Sequence, residues 1–267
     1  RYAIEGQDLQ GVAKGTSSAK ELTLSFYIKA TKTGTQIVEL FDIDNSRHCA
    51  KSVTINSSNT WEQKTITFPA DTTGAFGNDN GNSLSIFFGL ACGTDFTSGT
   101  LATAWASNTN ANRFVGQVNH FDSTSNNFEI TGVQLEIGSI ATAFEHRSFG
   151  EELALCQRYY HEQGNYPESP NSGYEGFFVS AAYNASGARG VMHLPTKMRT
   201  TPTLSTSGNF QMLGGSNDGV NAITLADGGG NPAVALNCST GSATTGHAYE
   251  VRSDNDQDAR IQFDAEL

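Results

Sequence analysis

The run Glu129–Tyr160, EITGVQLEIGSIATAFEHRSFGEELALCQRYY, changes structural period once, and that change constrains the chain most strongly. From Glu129 to Glu136 the residues alternate. Ile130, Gly132 and Gln134 fall on one side and Thr131, Val133 and Leu135 on the other, the period of a β-strand. From Phe149 onward the apolar residues fall at Phe149, Leu153, Cys156 and Tyr160, which is one face of a helix. Leu155 and Tyr159 widen that face, so this reading leaves little of the helix in water.

Ser148 and Glu151 fit the S-x-x-E capping box, in which each side chain satisfies a free backbone N–H of the other. Glu151 and Glu152 lie in the first turn, and Arg158 and His161 at the far end, as the helix dipole favours. Gly164 is the expected stop. A helix of about a dozen residues is marginal alone in water, so packing must hold it, against its own domains or against copies of itself. The expected division is a β-domain over 1–147, a linking helix over 148–161 and a second β-domain over 162–267.

The flanking sequence reads as short strands between turn signals. Glu21–Ala30 is a near-continuous β run with Leu22, Leu24, Phe26 and Ile28 on one face. Thr35–Phe41, Lys51–Ile55, Trp61–Phe68, Ser83–Ala91, Phe114–His120 and Asn127–Glu136 follow. After a Gly/Pro/Asn/Ser linker over Glu162–Ser172 come Gly176–Tyr183, Gly190–Pro195, Pro202–Thr206, Asn221–Asp227, Ala233–Ser239, His247–Ser253 and Arg260–Leu267. Many short strands with turns between them indicate an all-β fold of sandwich type. The strands of the second half are only modestly apolar, which suggests that subunit contact supplies part of their burial.

Composition narrows the partners. Charged residues are only 16%, Gly numbers 28 and the net charge is −11, which argues against a nucleic-acid backbone or an anionic membrane. No apolar run is long enough to span a membrane. Cys49, Cys92, Cys156 and Cys238 contain no C-x-x-C pair and read as free thiols, with Cys92 and Cys156 as small core residues. The chain opens on Arg1 rather than Met, which reads as a fragment or a processed product.

The stretch ITGVQLEIGSIATAFEHRSFGEELALCQRYY resembles a segment of bacteriophage tail-fibre and related virion appendage proteins. The similarity is specific over Thr131–Tyr160. It is weaker over Arg1–Gly132, through LTLSFYIKA, NTWEQKTITFPADTTG and the Trp105 region, and LPTKMRTTPTL and the terminal FDAEL are also familiar there. The resemblance implies a carbohydrate-binding-module-like jelly roll joined by one short α-helix to a distal, second β-sandwich-like domain. It further implies non-enzymatic recognition of a host surface polysaccharide, other virion tail proteins as neighbours, and location in the virion. The alternatives are a structural virion module (capsid decoration or fibre shaft) and a polysaccharide depolymerase. With the helix near an axis, Leu153, Cys156 and Tyr160 would be contacts of a homotrimer.

Candidate sites follow from residue chemistry. Aromatic rings bury the C–H faces of sugars while nearby polar groups take the hydroxyls. Trp61, Trp105, Tyr27 and Phe114 are able to form such a platform. Trp61 reads as core, whereas Trp105 lies in a polar loop and is the better ligand candidate. In the second domain Tyr166, Tyr174 and Tyr183 lie in or beside Gly/Asn-rich loops, where binding residues concentrate. Binding is expected there, in Tyr166–Tyr174, Gly214–Gly219 and Asp227–Asn231, with Trp105 as the competing site.

For metals, Asp42, Asp44 and Asn45 read as an Asx-rich turn. Asp254, Asp256 and Asp258 alternate as in an EF-hand loop, but Ala259 stands where the glycine is needed. No G-x-S-x-G or H-E-x-x-H occurs. Cys156 and His161 are too far apart on a helix to act as a pair. No catalytic residue, metal ligand or cofactor is assigned.

Overall fold

The computed structural model describes residues 1–164, 173–214, 217–227 and 232–266. The chain divides into two compact units, Arg1–His146 and Arg147–Glu266, and the fold is all-β in both.

The first unit has eight strands: β1 (Tyr2–Glu5), β2 (Leu22–Ala30), β3 (Gly34–Asp42), β4 (Arg47–Ile55), β5 (Glu62–Phe68), β6 (Asn82–Phe88), β7 (Ala106–Ser107) and β8 (Phe128–Ile137). They form a five-stranded sheet, β1-β6-β3-β4-β7, and a three-stranded sheet, β5-β2-β8. Only β3–β4 and β6–β7 follow one another within a sheet. The chain otherwise crosses between the sheets at each step, as in a jelly-roll winding.

The inner faces meet in one core. Leu22, Leu24, Phe26 and Ile28 of β2 are all buried, as their alternation requires, and they pack with Val38, Leu40, Leu84 and Ile86 of the other sheet. Phe26 and Phe88 make an edge-to-face pair with ring centroids 5.1 Å apart.

Phe114–His120, expected as a strand, is instead part of a long connection between β6 and β8 that covers the outer face of the five-stranded sheet. This connection also carries a short helix α1 (Thr94–Thr97). Its anchor is Arg113. The guanidinium binds both oxygens of the buried Glu39 at 2.6–3.1 Å and lies 4.7–5.7 Å from the ring centroids of Phe41, Phe87, Phe96 and Phe114. His48 Nδ1 is 2.9 Å from the same carboxylate. Nearby, Gln117 accepts the Ile37 N–H at 2.6 Å. Phe114 packs with Ile37 and Ala50, and the segment makes single backbone bonds, Val118 N–H to the Thr35 carbonyl and His120 N–H to the Leu90 carbonyl, rather than a strand ladder.

A second departure concerns the phase of β8. Ile130 pairs with Ile28 and Thr131 with Tyr27, but Gln134 pairs with Ser25 and Leu135 with Leu24. Two residues, Gly132 and Val133, therefore stand opposite Phe26. This is a β-bulge, made possible by Gly132 at φ +58°. Strict alternation would put Gln134 with Ile130; the bulge puts it with Thr131, on the outer face.

The second unit opens with helix α2 (Phe149–Gln157), capped by the Ser148–Glu151 box as expected. The helix is shorter than its period suggested. Arg158 is its C-cap, and Tyr160 begins strand β9 (Tyr160–Gly164). β9 pairs with β17 (Arg260–Asp264), so that His161 stacks on the buried Phe263 with ring centroids 6.3 Å apart. Long-range pairing has overridden the local helical pattern. The helix also buries none of its residues: Phe149 is 82% exposed, Leu153 42% and Leu155 45%, and Cys156 is exposed rather than a core thiol.

The remaining strands are β10 (Gly176–Asn184), β11 (Gly187–His193), β12 (Thr203–Ser207), β13 (Phe210–Leu213), β14 (Asn217–Asp227), β15 (Ala233–Thr240) and β16 (Ala248–Ser253). β10-β11-β15-β14-β13-β16 close into a barrel, and β12-β17-β9 form a three-stranded sheet. Closure removes the free edges of the main sheet. The unit has its own continuous core, including Met198, Met212, Leu236, Tyr249, Val251 and Phe263. Cys238 is part of it, its thiol pushed up to about 12 by burial, which makes it unreactive.

Candidate ligand-binding face

With the five-stranded sheet covered, the sandwich presents the outer face of β5-β2-β8. Alternation places Tyr27 and Lys29 of β2 on that face, beside Gln63 and Thr65 of β5 and Thr131 and Glu129 of β8. Trp61, immediately before β5, continues the row opposite Lys29. Trp61 is 44% exposed and Tyr27 39% exposed. Trp61 is thus a surface residue, contrary to its reading as core: it stands on the sheet face turned away from the sandwich core. As diagonal neighbours on adjacent strands the two rings have Cβ atoms about 7 Å apart.

Phe144, 41% exposed, extends the row. A side chain at Gly132 would sit 3.2 Å from Tyr27 Cδ2 and 3.9 Å from Phe144 Cδ2, so the bare bulge glycine is the floor on which both rings rest. Phe144 is held there by the segment returning after β8. Gln134 Nε2 donates to Thr142 Oγ1 at 3.2 Å and to the Ala143 carbonyl at 3.3 Å, and the Glu145 N–H donates to Gln134 Oε1 at 2.8 Å. Glu136 accepts the Thr142 N–H at 3.0 Å and its hydroxyl at 2.5 Å. The Thr142 hydroxyl, then Gln134 and the Thr142 N–H, hold the Glu136 carboxyl below the usual range.

The polar complement is present. Lys29 Nζ is 3.0 Å from Glu129 Oε2 and 5.3 Å from the Trp61 ring centroid. Neither the Trp61 indole N–H nor the Tyr27 hydroxyl has a hydrogen-bond partner among the described residues. Aromatic faces, free donors and free acceptors on a rigid sheet are what a carbohydrate ring requires.

The other candidates are placed differently. Trp105 is half-buried against the sandwich core, its indole N–H donates to the Pro69 carbonyl at 2.8 Å, and the Lys14 ammonium lies 5.3 Å from its ring. Phe114 is buried beneath the Arg113 connection. Tyr166 lies outside the described residues, as do most of the loop around it and parts of the other two loops. Tyr174 is 44% exposed, with the Arg252 guanidinium 4.5 Å from its ring centroid. Tyr183 is exposed at the end of β10. Tyr160, expected on the helix beside Leu153 and Cys156, is on β9, and its hydroxyl donates to Glu162 at 2.8 Å. The Trp61–Tyr27–Phe144 row had a partial signal in sequence, since Trp61 and Tyr27 are platform residue types. Phe144 had none, because only the Gln134–Glu136 clamp brings it to the sheet.

Of the aspartates weighed as metal ligands, Asp42, Asp44, Asp254 and Asp256 are engaged by protein groups. Asp42 Oδ2 is 2.5 Å from Lys14 Nζ, and Asp42 Oδ1 accepts the Asn45 N–H at 3.0 Å. Asp254 accepts the Gln211 amide at 2.7 Å, and Asp256 accepts the Asn209 N–H at 2.9 Å. Among the described residues no group of three His, Cys, Asp or Glu could hold a metal ion, and no helix is long and apolar enough to cross a membrane.

In comparisons with known proteins, no family model and no curated protein matches the chain.

Proposed function

We propose that the protein is a glycan-recognising part of a bacteriophage tail fibre, binding a host surface polysaccharide without cleaving it. The observation that carries this reading is the exposed Trp61–Tyr27–Phe144 row, flanked by Lys29, Glu129, Gln63 and Thr131 on a rigid sheet. The sequence resemblance around GVQLE and ATAFE supports the virion setting. The Gln134–Glu136 clamp gives those two motifs a joint role, since one holds the backbone of the other. The exposed Phe149, Leu153 and Leu155 of the helix support assembly as a homotrimer, which also keeps a structural virion module as the second reading. Binding of the full chain to immobilised bacterial polysaccharides, with the supernatant assayed for released oligosaccharide, tests the proposal. Saturable binding without release supports it. Release of product would replace it with a depolymerase, and absence of binding would favour the structural module.

A further inference from the structure

We infer that the Lys29–Glu129 pair is the hydroxyl-reading element of this face, and that the ligand is a neutral pyranose carrying a free vicinal diol. The inference rests on the glycan-binding reading above and names its ligand class. Lys29 and Glu129 stand opposite each other on β2 and β8, with side chains 24% and 41% exposed. The ammonium meets Glu129 Oε2 at 3.0 Å, and the other carboxylate oxygen accepts Asn127 Nδ2 at 3.0 Å. An ammonium has three donors and a carboxylate about four acceptor sites. The pair therefore retains donors and acceptors at the rim of the Trp61 ring.

A vicinal diol fits that set. Its two O–H groups donate to the carboxylate while their oxygens accept from the ammonium, with the C–H face of the ring against Trp61 or Tyr27. Charge argues the same way. The pair is neutral as a unit and the chain carries −11. An anionic sugar gains from Lys29 only by displacing Glu129, against the field of the whole protein. A neutral sugar uses both groups without separating them.

An array of neutral and uronate-bearing bacterial polysaccharides, probed with the full chain and with W61A, K29M and E129Q, tests this. The expected result is binding confined to neutral polysaccharides and lost when these are treated with periodate, which cleaves vicinal diols. K29M and E129Q should each bind about tenfold more weakly with unchanged thermal midpoints. Preference for uronate-bearing polysaccharides, strengthened in E129Q, would overturn the inference and leave glycan binding intact. So would binding that survives periodate, or K29M and E129Q binding like the unsubstituted chain. Failure of every polysaccharide to bind would overturn the glycan-binding reading itself.

Discussion

The backbone N–H of Glu145 donates to the side-chain oxygen of Gln134 at 2.8 Å, and this bond ties the chain back onto the sheet it has just left. The Gln134 amide reaches the same segment at the Ala143 carbonyl. Replacing Gln134 by Leu leaves both backbone groups to water. The expected cost is about 1 kcal/mol, confined to the returning segment. Hydrogen exchange should quicken at Glu145 and stay unchanged in β2.

Glu136 makes the same attachment pH-dependent. Hydrogen bonds from Thr142 and Gln134 lower its pKa in the folded chain. A carboxyl with a lowered folded pKa stabilises above its unfolded value, about 4.3, and the contribution is lost as pH falls through the folded value. Protection of the Thr142 N–H, taken relative to its intrinsic exchange rate at each pH, should therefore fall on acidification below about pH 4. In E136Q that dependence should vanish, because glutamine accepts without titrating.

Lys14 is 4% exposed, with its ammonium 2.5 Å from Asp42, 3.1 Å from Asp71 and 2.8 Å from the carbonyls of Thr73 and Gly74. Burial alone would raise the Asp71 pKa, but hydrogen bonds from Arg47 and Lys14 outweigh it and hold the carboxyl low. K14M removes the ammonium and leaves the carboxylates in place. Loss of one partner from a buried ionic cluster costs about 3–5 kcal/mol. Urea unfolding should show this fall, with partial recovery in K14M/D42N.

Leu153 is 42% exposed on a helix that buries none of its residues. If the helices associate in a homotrimer, L153D should shift the sedimentation coefficient toward the monomer and leave the thermal midpoint of the barrel nearly unchanged. A monomer at micromolar concentration before substitution would remove the trimer.

Local chemistry was readable where the structure is local. The buried face of β2 follows from alternation at Leu22, Leu24, Phe26 and Ile28, and the helix start from Ser148 and Glu151. What sequence did not reveal depends on distant partners. β9 is a strand because residues about a hundred positions later pair with it. Phe114–His120 is a cover because Arg113 finds Glu39 among four phenylalanine rings. The outward position of Gln134 needs the bulge at Gly132, where one φ angle reverses the alternation. Trp61 was misread because its exposure depends on which sheet the β6–β8 connection covers, and nothing near Trp61 encodes that.

Trp61 and Tyr27 against Trp105 is the comparison that tests glycan binding at this face most directly. Polysaccharide binding should be measured for Y27A/W61A and W105A, each checked for folding by urea unfolding. Y27A/W61A should fold like the unsubstituted chain and bind roughly thirtyfold more weakly, as expected for central aromatic anchors. W105A should lose about 3 kcal/mol of stability and, while folded, bind normally. Unchanged binding in Y27A/W61A, with binding abolished in folded W105A, would contradict the assignment.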